Sequence, residues 1–146
     1  MGHLASGVTV VTVLDAAGGA HGMTASAVTS LSLEPPLLLV CIDRAAAIHD
    51  LIVRAPAFGV NILADGQESG ARRFADRDRH AIAAGEGGRS PAGLPLLAGA
   101  LATIDCARGA VYDGGDHSIV TGAVGWSRLR EGTPLIYFRS TYGRMR

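Results

Sequence analysis

A chain of 146 residues and 15.0 kDa has room for one hydrophobic core and is read as one domain over residues 1–146. Hydrophobic residues make up 48% and charged residues 18%, which excludes disorder, while 13 basic against 13 acidic side chains argue against binding nucleic acid or anionic membrane through bulk charge. All 13 basic residues are arginine, which excludes Schiff-base chemistry on an internal lysine and leaves any bound anion to be held locally. Residues 7–14, GVTVVTVL, carry valine on both faces and predict a strand covered on both sides. Gly18, Gly19 and Gly22 supply a turn, after which small and hydroxyl side chains predict a strand followed by irregular backbone as far as Pro35 and Pro36. The apolar run at residues 37–42, LLLVCI, reads as a central strand. Ile48, Leu51 and Ile52 at i, i+3 and i+4 place a short amphipathic helix over residues 45–55, stopped by Pro56.

Residues 58–63, FGVNIL, predict another strand, and residues 67–75 a second short helix capped by Asp65. Residues 76–95 change character, with Asp76, Arg77, Asp78, Arg79 and Glu86 among four glycines and two prolines, and predict a long surface loop. Strand-like runs at 100–111 and 117–126 flank YDGGD, a hairpin turn signal, and residues 135–138 close the series. Six or seven strands with two short helices and no strand–helix alternation predict a mainly β fold, an antiparallel barrel. Cys41 and Cys106 lie far apart with no CxxC or Cys/His cluster, so neither a metal site nor a disulfide framework is expected, and a reducing cytoplasm is. No apolar run approaches the ~18 residues of a membrane span, and MGHLASG lacks the order of a signal peptide, so a cytoplasmic protein without a membrane or nucleic-acid partner is expected.

The chain contains no GxGxxG after a strand, no GxxxxGK[ST], no HExxH and no GxSxG. What it offers is a density of small hydroxyl residues, Thr24, Ser26, Thr29, Ser30 and Ser32, on uncrowded backbone. Such a stretch presents N–H groups and hydroxyls to an anion or to the polar edge of a flat ring, or else satisfies itself as a strand edge and loop.

The order GVTVVTV, HGMTASAVTSLSLEPPLLLVCID, FGVNIL, RRFA, GDHSIVTGAV and PLIYFRSTYGR resembles the flavin reductase family of FMN-binding split barrels over nearly the whole chain. GMTASAVTSLSLEPP and GDHSIVTGAV are the most specific parts. The resemblance implies an antiparallel split β-barrel with short flanking helices and a homodimer. It implies reduction of FMN or FAD by hydride transfer from NADH or NADPH, with reduced flavin passed to a partner monooxygenase. Thr24, Ala25, Ser26 and Ala27 would touch the flavin, with Val40, Cys41 and Ile42 along the isoalloxazine. On chemistry alone Cys41 reads as core, and Asn61 either meets a flavin edge or pins a neighbouring loop.

Where the resembling family places serine and threonine at the flavin phosphate, this chain reads RAAAIHD, so Ala46 and Ala47 leave the anion to backbone N–H groups and an arginine. Arg72 and Arg73, before Phe74, are the first candidates and Arg44 a third, against the alternative of a solvated helix face. The histidine of GGDH, His117, is expected near flavin and nicotinamide in a catalytic or positioning role, or else simply bonds the turn. His21, His49 and His80 read as surface residues. Tyr142 and Gly143 match the segment that covers the nicotinamide. The alternatives are an FMN-binding module without turnover, or an oxidoreductase with tightly bound FMN acting on a small organic substrate.

Overall fold

The structure is a computed structural model in which residues 2–145 are described. Short β1 (Ser6–Gly7) leads into β2 (Thr9–Leu14), β3 (Ala20–Ala25), β4 (Val28–Leu33) and β5 (Pro36–Asp43). Helix α1 (His49–Arg54), β6 (Ala57–Ile62) and α2 (Glu68–Ala75) follow. Then come β7 (Ala81–Ile82), β8 (Gly88–Arg89), β9 (Pro95–Leu96), the long pair β10 (Ala102–Gly114) and β11 (His117–Leu129), and β12 (Leu135–Phe138) with β13 (Thr141–Arg144).

Eight strands form one antiparallel sheet in the order β4-β5-β11-β10-β6-β2-β3-β7. Although β3 and β5 are far apart in that order, β3 packs against β5, so the sheet curls round on itself. The inside is filled by Val11, Val13, Val40, Ile42, Phe58, Val60 and Val120, with Ile48 and Ile52 of the α1 segment plugging one end. On the outside, α2 lays Ala71 and Phe74 against Val8 and Val10. Strand β2 is thus covered on both faces, as its valines predict.

Several expectations change. The hydroxyl-rich stretch is regular: Ala20–Ala25 and Val28–Leu33 are both strands, because β3 pairs with β2 while β4 pairs with β5. Strand β5 is second from an edge rather than central, and only Leu38, Val40 and Ile42 point into the core, leaving Leu37, Leu39 and Cys41 on a half-covered face. Asp65 does not cap α2; the chain enters through a single 3-10 turn, Asp65–Gln67, and the Gln67 side chain accepts the Ala64 N–H at 2.9 Å. The expected loop at 76–95 carries the turn Arg77–Arg79, lends β7 to the edge of β3, and folds β8 onto β9. It buries Leu94 and Leu96 and is tied down by the Arg73–Glu86 ion pair. The predicted hairpin forms with Gly115 at φ +78°, a backbone angle that favours glycine, and Gly114 faces His117 across the turn.

Candidate functional site

The site grows from the seam of the barrel. Ser26 and Ala27 join two strands that belong to opposite margins of the sheet, so no ladder partner faces them. The Ala27 carbonyl accepts the Cys41 N–H at 2.9 Å, but the N–H groups of Ser26 and Ala27 have no acceptor among the described residues. The bend before α1 leaves the N–H groups of Ala47 and Ile48 equally free, while Ala45 and Ala46 donate to Asp43. Between these two sets of donors lies a groove of about 290 Å³.

One wall of the groove is Met23 to Ala27, and Cys41 and Asp43 lie along its floor. Ala46, Ala47 and Ile48 form the opposite wall, with His117 at the hairpin end. The C-terminal end of α2, from Phe74, continues through Arg77 to His80 and closes the remaining side. The Thr24 hydroxyl donates to the Ala71 carbonyl at 2.6 Å and so locks β3 to α2. The Thr9 hydroxyl holds the Ala25 carbonyl at 2.7 Å in the same manner.

Of the residues singled out from the sequence, Thr24, Ala25, Ser26, Ala27, Cys41, Ala46, Ala47, Phe74 and His117 line this one groove. Others go elsewhere. Val40 and Ile42 have no exposed surface and face the core, because alternation along β5 gives the groove only Cys41 and Asp43. Asn61 is buried, accepts the Leu97 N–H at 3.0 Å and donates to the Val10 carbonyl at 3.2 Å, so it pins the loop and is out of reach of the groove.

Neither arginine of α2 lines the groove: Arg72 pairs with Glu68 one turn back and stacks on Tyr142, and Arg73 pairs with Glu86 and donates to the Ala81 carbonyl. Arg44 is taken by Asp113 at 2.6 Å. Tyr142 lines a neighbouring cavity of about 160 Å³ that shares Thr24, Ser26 and Ala75 with the groove, whereas Gly143 lines neither. Arg77 and His80 also line the groove, although the sequence places Arg77 in a charged surface loop and His80 reads there as a surface residue.

His117 places Nδ1 2.7 Å from the Asp116 carboxylate, and that hydrogen bond holds the Asp116 carboxyl below its usual range. With Nδ1–H given to Asp116, Nε2 of neutral His117 is an acceptor. His49 is mostly buried, not a surface residue, and contacts the Ser118 hydroxyl at 2.8 Å beside His117. His21 is likewise enclosed, at 2.8 Å from Asp15. Burial pushes the Cys106 thiol up to about 12, with Asp105 adding in the same direction, so it remains a thiol at neutral pH. No group of three or more His, Cys, Asp or Glu is placed to hold a metal among the described residues.

A flat cofactor with apolar faces and polar edges fits this donor set, because alanines and Cys41 supply an uncrowded surface while four unpaired backbone N–H groups and Ser26 supply polar contacts. A curled antiparallel sheet with such a groove at its seam defines the split-barrel class of flavin-binding proteins. The flavin reductase like domain pattern matches residues 1–146, and the chain belongs to that family.

It is 43% identical to "Flavin reductase (NADH)" of Kitasatospora aureofaciens, covering 99% of this chain and 78% of that protein. It is 40% identical to the flavin-dependent monooxygenase reductase subunit HsaB of Rhodococcus jostii (strain RHA1), over 97% of this chain and 73% of that one. Among solved structures, the Streptomyces globisporus NADH:FAD oxidoreductase SgcE6 in complex with NAD and FAD fragments superposes with a TM-score of 0.91. It is 37% identical, with 99% of this chain and 88% of that chain covered.

Proposed function

We propose that this protein is an NAD(P)H:flavin oxidoreductase that reduces FMN or FAD and passes the reduced flavin to a partner monooxygenase. The seam groove carries this reading, through its free backbone donors opposite small apolar side chains. A flavin held there would supply the hydride-accepting chemistry and NAD(P)H the hydride, so the hard chemistry would lie in the two cofactors. The chain's task is to seat one ring against the other and keep water out.

Ala25, Ala27 and Cys41 would give the ring a surface without side-chain obstruction, and the Ser26 and Ala27 N–H groups would meet its polar edge. The Ala47 and Ile48 N–H groups and Arg77 would hold the phosphate. His117, held by Asp116, orients the nicotinamide side through its free Nε2. The protein should show little NADH oxidation alone and rapid oxidation once FMN or FAD is added, followed at the nicotinamide absorbance band. NADH oxidation that ignores added flavin, or a yellow protein with no turnover at all, would overturn the reading.

A homodimer accompanies this proposal. Residues of β1, β4 and β5 line an apolar groove of about 820 Å³ that shares Ser26, Ala27 and Cys41 with the flavin groove, and Leu33 in its lining is 88% exposed. Covering that face with a second copy would remove the exposed leucines from water and complete one side of the site. Light scattering should give about twice 15.0 kDa, and a monomer mass would refute it.

A further inference from the structure

Three side chains form a hydrogen-bonded chain that ends on the groove. His80 lines the groove, and its Nδ1 lies 3.1 Å from Nδ1 of His21. Nε2 of His21 lies 2.8 Å from one carboxylate oxygen of Asp15. The other Asp15 oxygen accepts the N–H groups of Ala17 at 2.9 Å and Gly19 at 2.7 Å, which fixes the carboxylate in the turn between β2 and β3. The His80 segment is held in turn by its own carbonyl, which accepts the Gly22 N–H at 2.8 Å.

Each bond dictates the next. A carboxylate only accepts, so His21 must carry its proton on Nε2, and these contacts hold the Asp15 carboxyl below its usual range. Neutral His21 then has a bare Nδ1, and a 3.1 Å contact between two ring nitrogens requires a single proton between them. That proton belongs to His80 Nδ1, which leaves His80 Nε2 bare, with no partner in the described chain.

We propose that Asp15 and His21 are positioning residues which hold His80 in the tautomer whose Nε2 is an acceptor in the groove wall, and that this nitrogen receives an N–H or O–H of the bound flavin. The assignment rests on the flavin-reductase reading of the groove. It also contains a switch of polarity. If the pair takes up one proton, either His80 becomes the imidazolium, or His21 does and donates its Nδ1–H to His80. In both cases His80 Nε2 carries hydrogen and turns from acceptor to donor. The charged groups around the pair are Asp15, the Arg73–Glu86 pair beside β7, and Asp76, Arg77 and Arg79 next to His80.

The decisive variant is Asp15→Asn. The two turn N–H groups require an oxygen where they now find one, so the amide nitrogen would take the place of the oxygen that faces His21. An N–H aimed at His21 Nε2 reverses every proton along the chain without cutting the turn, and makes His80 Nε2 a donor at neutral pH. Long-range ¹H–¹⁵N spectra of the full chain should show Nε2–H on His21 and Nδ1–H on His80, and the opposite in Asp15→Asn.

Riboflavin affinity, read by quenching of flavin fluorescence, should fall about three- to tenfold in Asp15→Asn and in His80→Phe, and recover in His80→Gln. In the wild type it should fall as the pair takes up its first proton, and in Asp15→Asn it should lose that pH dependence. Lumiflavin, which lacks the ribityl chain, separates the donors: loss with both ligands marks the ring N–H, loss with riboflavin alone a ribityl hydroxyl. Reversed tautomers with unchanged affinity would overturn the proposal, as would wild-type His80 protonated on Nε2. A wild type that binds no flavin would instead strike at the reading of the groove, with the tautomers still decided by the spectra.

Discussion

Replacing Arg77 by alanine is expected to weaken FMN binding about five- to thirtyfold and to leave riboflavin binding within about twofold. The chain has no lysine, so any side-chain cation at the phosphate is an arginine. A phosphate monoester in the groove needs a fixed cation or a set of N–H donors. Of the arginines singled out by sequence, Arg44, Arg72 and Arg73 are each paired with a carboxylate. Arg77 lines the groove and forms no ion pair among the described residues.

The contact is discounted from the full value of a charge-assisted hydrogen bond because the side chain is exposed and screened. Riboflavin has the same ring and ribityl chain without the phosphate, so the comparison isolates the anion. Equal losses for both ligands would mean that Arg77 shapes the wall rather than reads charge. Loss of the effect at high salt would fit charge reading, since the side chain is open to solvent.

Arg77 also shows what the sequence could and could not disclose. The strands that set the barrel were legible because burial leaves a periodic trace: valine on both faces of β2, the apolar run of β5, the Asp-Gly-Gly turn before His117. Cross-chain pairings leave none. Arg72 and Arg73 stand next to Phe74 on a helix with an obvious apolar face; the Arg72–Glu68 pair is local, four residues apart on α2, whereas the commitment of Arg73 to Glu86 depends on the path of the loop at 76–95.

Asn61 was ambiguous for the same reason, since a polar residue in a buried strand must be satisfied by something, and only the fold says that it is the Leu97 N–H. The unpaired N–H groups of Ser26 and Ala27 were foreshadowed by composition but not by position. They arise because consecutive strands join opposite margins of one sheet, which is a property of strand order.

The floor of the site depends on a tight core position that the glycine content conceals. Gly122 of β11 lies opposite Leu38 of β5 on one side and Arg108 of β10 on the other. A Cβ there would stand 2.7 Å from both Cys106 Cβ and Phe58 Cζ, so the fully buried Phe58 ring occupies the space that glycine leaves. Phe58→Ala is expected to cost about 3–5 kcal/mol, because the ring packs in the cluster with Val40, Ile42 and Val120 and nothing nearby can collapse into its volume. For a chain of this length that is a fall in Tm of about 6–20 °C.

Gly122→Ala should cost about 1–3 kcal/mol by overpacking. The two defects are complementary. Phe58→Leu removes the ring atom that meets the new methyl, but Cys106 Cβ belongs to β10 and stays, so the double variant Phe58→Leu, Gly122→Ala should recover only part of the loss. Urea unfolding at one fixed protein concentration reads all of these, since association would make stability concentration-dependent. Strict additivity of the single changes would show that ring and glycine do not share the space. Because Val40 and Ile42 hold β5 from inside while Cys41 faces the groove, Phe58→Ala should also loosen flavin binding at temperatures well below its own transition.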